Sequence, residues 1–88
     1  MERIETSYGS FNVYLNRIAN SQGDLYHISF VDKQNKAHVA ILTRYMNQWS
    51  FVNEESIPDW IISLKGQFET LIRRSFKSDF SRSIAVAV

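Results

Sequence analysis

Two histidines, His27 and His38, and four cations, Arg73, Arg74, Lys77 and Arg82, are the residues of this chain with the most accessible chemistry. Imidazoles bind metals and move protons near neutral pH, and clustered Arg and Lys neutralise phosphates. The metal reading meets a spacing problem. If both histidines project from the same face of adjacent strands, about four residues apart, they are separated by about 13 Å, which no single ion bridges without a third element. No HExxH pattern accompanies them. The neighbouring acids Glu54 and Glu55 precede a helix, which accounts for them. Gly9, Gly23 and Gly66 are isolated and form no phosphate-cradling loop, and no Ser, His and Asp stand at a catalytic spacing. The expectation is a protein that is not an enzyme, with no cofactor and no metal. The basic cluster closes a helix, where cations complement the dipole, and a phosphate contact is the competing use.

Composition sets the frame for those residues. Ten basic and nine acidic residues leave a net charge of +1, so bulk electrostatics points to neither nucleic acid nor membrane. The 88 residues form one domain, expected to bury about 60 to 65% of the unfolded chain's surface. Six Phe, four Tyr and two Trp supply much of the core area. With no cysteine, disulfides and thiolate sites are excluded. Met1-Glu2-Arg3-Ile4-Glu5 lacks the apolar run of a signal peptide, and no apolar stretch is long enough to span a bilayer. A cytoplasmic protein with no membrane partner is therefore expected.

The strongest element signal lies at 56–76, where Ile57, Trp60, Ile61, Leu64, Phe68, Leu71 and Ile72 recur on one helical face. Ser56 is placed to cap this helix, with Asp59 three residues on and Pro58 early enough to cost no hydrogen bond. Such a stripe needs a receiving surface, and the preceding residues alternate as strands. Phe11, Val13 and Leu15 point one way, as do Tyr26, Ile28 and Phe30 in the next strand. A third strand runs through Val39 and Ile41 to Tyr45, and a short fourth covers 49–53. Residues 1–8 either extend the first strand or fray. The fold class is α+β, a four-stranded antiparallel β-meander (ββββα) with one amphipathic helix on one face. The core spans about 9–76, and 77–88 is a polar tether followed by the apolar tail Ile84 to Val88, a candidate extra strand.

Loop lengths assign the faces, because a one-residue slip turns every side chain over. Four-residue loops at 20–23 and 33–36 set Leu15, Ile28 and Ile41 in one core row and Val13, Phe30 and Val39 in the next. The third hairpin admits two registers. A two-residue loop at Asn47-Gln48 points Trp49 and Phe51 outward, whereas a three-residue loop at 46–48 buries them, which the size of the two aromatics favours. The outer face then carries Asn16, His27, Leu42 and Val52 in one row and Tyr14, Ser29 and Ala40 in the next, with Ile18, Leu25 and Val31 alongside.

Tyr14-Leu15, Asn20, Gly23, Ile28 and Val31, within residues 2–42, loosely resemble the PUR repeat, a ββββα unit that binds single-stranded nucleic acid and pairs with a second copy. The resemblance implies pairing and a single-strand contact. The chain departs from it at Asp24, where such repeats carry basic residues after the turn glycine, and in its extra strand at 49–53. The chain is not assigned to that family.

The resulting expectation is a small non-enzymatic interaction domain that associates with itself or another protein. Its contact residues are Tyr14, His27, Leu42 and Val52 on the outer face and Ile84, Val86 and Val88 in the tail. The alternative is a single-stranded nucleic-acid-binding module using that face with Arg73, Arg74, Lys77 and Arg82.

Overall fold

The structure, a computed structural model, describes residues 2–20 and 23–77. Five strands form one antiparallel sheet in sequential order: β1 Glu2–Thr6, β2 Gly9–Asn20, β3 Gly23–Val31, β4 Ala37–Tyr45 and β5 Gln48–Phe51. A 3₁₀ turn at Glu54–Ser56 leads to a single helical turn, α1, at Asp59–Ile62, and to α2 at Lys65–Ser75. The α+β meander with a helix on one face is thus the architecture, with one strand more than the pattern suggested. Residues 2–6 pair with β2 from Glu2↔Val13 to Thr6↔Gly9, and Ile4 enters the core. Ile4 is the only apolar residue in that strand, so periodicity had little to report. The tail residues Ile84, Val86 and Val88, with Arg82, lie outside the described residues.

The β2–β3 register is the expected one, with Leu15 opposite Ile28. The β3–β4 register differs by one residue: Ile28 faces Ala40 and Phe30 faces His38. The cause is the turn. Asn35 adopts a left-handed conformation, with φ of 64°, and its N–H bonds the Asp32 carbonyl at 3.0 Å while the Asp32 N–H bonds the Lys36 carbonyl at 2.9 Å. The loop therefore has three residues, 33–35, a type I turn followed by a left-handed bulge position, rather than four. Leu42 and Ala40 are consequently core residues, and Val39 and Ile41 lie on the outer face. Leu42, at 0% exposure, cannot be the contact residue the sequence suggested.

At the next hairpin Met46 and Asn47 both have positive φ, 53° and 64°, which closes a two-residue loop with Tyr45 opposite Gln48. Trp49 and Phe51 enter the core beside Arg44 and Leu42, as expected, but through a different register. Past β5, Asn53 extends the pairing with its side chain. Its carboxamide accepts from the Ile41 N–H at 3.0 Å and donates to the Val39 carbonyl at 2.8 Å, as a strand backbone would.

The helical segment buries Ile57, Ile61, Leu64, Phe68, Leu71 and Ile72 against the sheet. Each such side chain stabilises by about 1.5–3 kcal/mol, which far exceeds the ~1 kcal/mol that Gly66 costs in α2. One helix was expected over 56–76, and the path breaks at Ser63-Leu64. The Ser63 hydroxyl donates to the Trp60 carbonyl at 2.6 Å, and the Leu64 N–H turns to the Ile61 carbonyl at 3.0 Å, a 3₁₀ bond. Ser56 is not the cap. Its hydroxyl donates to the Asn53 carbonyl at 2.9 Å within the 3₁₀ turn, and Pro58 occupies the N-cap of α1. On its flank α2 is tied to β1 by Gln67, whose amide donates to the Glu5 carbonyl at 2.7 Å, and by Arg74, 3.6 Å from Glu2.

Two substitutions test these assignments in chemical denaturation. Asn53→Ala leaves a strand donor and acceptor without their partner and is expected to cost about 1–3 kcal/mol. At Gly66 a Cβ would meet nothing within 4 Å, so Gly66→Ala is expected to stabilise by about 0.5–1 kcal/mol.

Candidate functional site

Alternation divides the sheet into a helix side and an open side, and the charges are sorted between them. On β2 to β5 the described charged residues are Arg17, Asp24 and Arg44, and all three share the parity of the core residues. They meet at one end of the helix side, where Asp24 lies 3.2 Å from Arg17 and 3.8 Å from Arg44. Their long stems cover apolar surface at the rim while the heads reach water and each other.

The open side of β2 to β5 carries no Asp, Glu, Lys or Arg among the described residues. Tyr14, Ser29 and Val39 form one row, and Asn16, His27 and Ile41 the next, where the Val52 N–H bonds the Ile41 carbonyl at 2.8 Å. Ile18, Leu25 and Thr43 form a third. Tyr14 (59%), Val39 (46%) and Val52 (58%) are exposed, together with Ile18, Val31 and Tyr45. His27 is half-buried among them. On β1 the open side adds Arg3 and Glu5, which pair with each other at 3.3 Å. Glu5 also accepts from the Ser10 hydroxyl, and the two donors, Ser10 first, hold its carboxyl below the usual carboxylate range. Scattered apolar residues on a surface need no explanation, but a four-strand face without a formal charge does, in a protein with 22% charged residues.

Of the residues the sequence singled out, Tyr14, His27 and Val52 lie on this face and Leu42 does not. Val39, Ile41 and Tyr45 belong to it and were missed, because the register slip exchanged the two parities of β4. Of the basic cluster, Arg73 and Arg74 stand on the other side of the sheet. The Arg73 guanidinium lies 5.7 Å from the Trp49 ring centroid and Arg74 pairs with Glu2. Lys77 is exposed beyond α2.

The histidines are on opposite sides of the sheet, not on one face. His38 is buried on the helix side, 5.5 Å from both Phe30 and Trp60 ring centroids, with Nε2 2.8 Å from Asp32 Oδ2. The other Asp32 oxygen accepts from the Gln34 and Lys36 N–H groups at 2.8 and 2.9 Å. His38 and these turn amides lower the Asp32 pKa, the His38 bond contributing most. An Asp–His pair is also the orienting half of many hydrolytic sites. The adjoining cleft of about 260 Å³ is lined by Tyr8, Phe11, Asp32, Lys33, Gln34 and Trp60, with no hydroxyl or thiol nucleophile of the serine or cysteine kind. The pair is satisfied within the turn that it holds, which is a structural role. Among the described residues no group of three His, Cys, Asp or Glu is placed to hold a metal ion, and no helix is long and apolar enough to cross a membrane.

Compared with protein-family models, curated proteins and solved structures, the chain shows no match. The PUR-repeat resemblance gains no support from these comparisons, and the functional reading rests on the geometry of the open face.

Because the folded-state pKa of Asp32 is depressed, its contribution is complete above the unfolded value near 4 and is lost as pH falls through the folded value. Asp32→Asn is expected to lower stability at pH 7 and to flatten the loss of stability between about pH 4 and pH 2. Urea midpoints measured across that range check both effects, and an unchanged acid slope would show that Asp32 is not a source of it.

Proposed function

We propose that this protein is a non-enzymatic self-association module whose open sheet face stacks on the same face of a second copy. The observation that carries the reading is the exclusion of formal charge from that face. Burying an unpaired charge costs several kcal/mol, so a face that is to be covered is best built without one. A symmetric contact sets each patch against itself. Asn12, Asn16 and Ser29 are donors and acceptors at once, so they can bond to identical groups across a two-fold axis, and like-charge repulsion does not arise. Tyr14, Val39, Ile41 and Val52 supply the apolar centre. Four strands at about 4.8 Å spacing and about 25 Å of length give a flat patch on the order of 500 Å² per copy, toward the small end of specific interfaces. The dimer is therefore expected to be weak and concentration-dependent.

Single-stranded nucleic-acid binding draws less support. Its phosphate contacts need cations beside the stacking surface, and Arg73 and Arg74 are held on the helix side by Trp49 and Glu2. Anisotropy of a labelled oligonucleotide is expected to stay flat at low salt. A rise that disappears at high salt would favour that reading over self-association.

Sedimentation equilibrium over a hundredfold concentration range tests the proposal. The native chain is expected to move from monomer to dimer. Val39→Glu places two carboxylates in the symmetric contact and is expected to weaken association at least tenfold while leaving the unfolding midpoint within about 0.5 kcal/mol of native. Leu42→Glu is the contrasting control, since a carboxylate at that buried site unfolds the domain instead. Undiminished association of Val39→Glu would remove the open face as the contact.

A further inference from the structure

The cleft of about 260 Å³ beside Asp32 opens where the β1–β2 turn, the β3–β4 turn and α1 meet, on the helix side of the sheet and away from the open face. Much of its wall is aromatic. The Trp60 ring lies 5.3 Å from Tyr8 and 5.7 Å from Phe11 between centroids, with the planes tilted by 46° and 37°, so the three rings form a curved wall rather than a flat stack. Aromatic faces carry negative potential and attract cations. Asp32 adds a formal negative charge to the same wall, with its side chain 14% exposed. One carboxylate oxygen accepts from the Gln34 and Lys36 N–H groups and the other bonds His38, which holds the group ionised and uses most of its capacity to accept from a ligand. The cleft thus offers a cation a favourable field but few hydrogen-bond acceptors.

A cation of the chain's own already stands at the rim. Gly9 has φ of 129°, a conformation that favours glycine, and a Cβ there would lie 2.5 Å from Lys33 Cε and 3.1 Å from Nζ. The missing side chain lets the Lys33 stem lie along the β2 backbone and brings its ammonium to the cleft. A primary ammonium has three N–H donors to satisfy, which this wall cannot do, and Lys33 remains exposed. A quaternary ammonium has no N–H to satisfy and presents its charge through methyl groups that pack on rings. We propose that this cleft binds small quaternary ammonium compounds, with Tyr8, Phe11 and Trp60 against the methyl groups, Asp32 as the fixed counter-charge and Lys33 as the resident cation that the ligand displaces. The turn that sets the β4 register then also builds a binding site, independently of whether two copies stack through their open faces.

Titration of the full chain with choline chloride, followed by NMR, tests this. Saturable shifts are expected at the Gly9 and Lys33 amides and the Trp60 indole, and the same concentration of sodium chloride is expected to leave them in place. Dimethylbutanol, the neutral carbon isostere of choline, is expected to bind about tenfold more weakly or worse, because it lacks the charge. Tyr8→Leu, on an exposed turn, keeps an apolar side chain without a ring and is expected to weaken choline binding about fivefold, with β3 and β4 amides unchanged as the control for folding. Lys33→Ala removes the resident cation and is expected to tighten binding about threefold; being an exposed site, it carries the test if Tyr8→Leu unfolds. Choline that moves none of the three signals, a neutral isostere that binds equally well, or weaker binding by Lys33→Ala overturns the proposal. Shifts produced by phosphatidylcholine vesicles but not by free choline also overturn it, because the ligand would then be a lipid headgroup rather than a small solute.

Discussion

The turn between β3 and β4 decides what each side of the sheet is made of. Its loop has three residues because Asn35 accepts a left-handed conformation, and Asp32 holds it closed by accepting from two turn amides and bonding His38. That last bond is available only in this register, since one more loop residue would put His38 on the open face and out of reach. Turn, register and buried histidine are thus one arrangement. From it follow the burial of Ala40 and Leu42, the surface offered to α2, and the placement of Val39 and Ile41 on the outside.

The same parity sorts the charges. Arg17, Asp24 and Arg44 fall on the helix side at the end of the sheet, where the Asp24 carboxylate pairs with both guanidinium groups. The layer facing water keeps hydroxyls, carboxamides and apolar groups instead. This reverses the common pattern, in which charge is displayed outward on an open antiparallel sheet. An uncharged outer face leaves the backbone edges as the other route to association.

Much of this was legible in the residues. The stripe from Ile57 to Ile72 identified the helix and its buried side, and alternation found β2, β3, β4 and β5. Tyr14, His27 and Val52 were correctly placed on the open face, because the β2–β3 register and the parity of β5 were right. The β5 parity was right through two errors that cancel: the β3–β4 loop is one residue shorter than its composition suggests, and so is the loop at Met46-Asn47. Composition marks where a turn lies but not which asparagine goes left-handed, and Leu42 was misplaced for that reason. The helix break was hidden as well, since Ser63 competes for the Trp60 carbonyl without interrupting the apolar stripe. β1 had only Ile4 to announce it.

A chain without cysteine allows the central claim, that two open faces meet, to be tested by one engineered thiol. Ser29 lies at the middle of the face, between Tyr14 and Val39, and Ser75 lies at the end of α2 on the other side of the sheet. Under mild oxidation Ser29→Cys is expected to form a disulfide-linked dimer rapidly and nearly completely, and Ser75→Cys slowly. Equal rates for the two, or no cross-linking through position 29 at concentrations where the native chain is dimeric, would contradict the account.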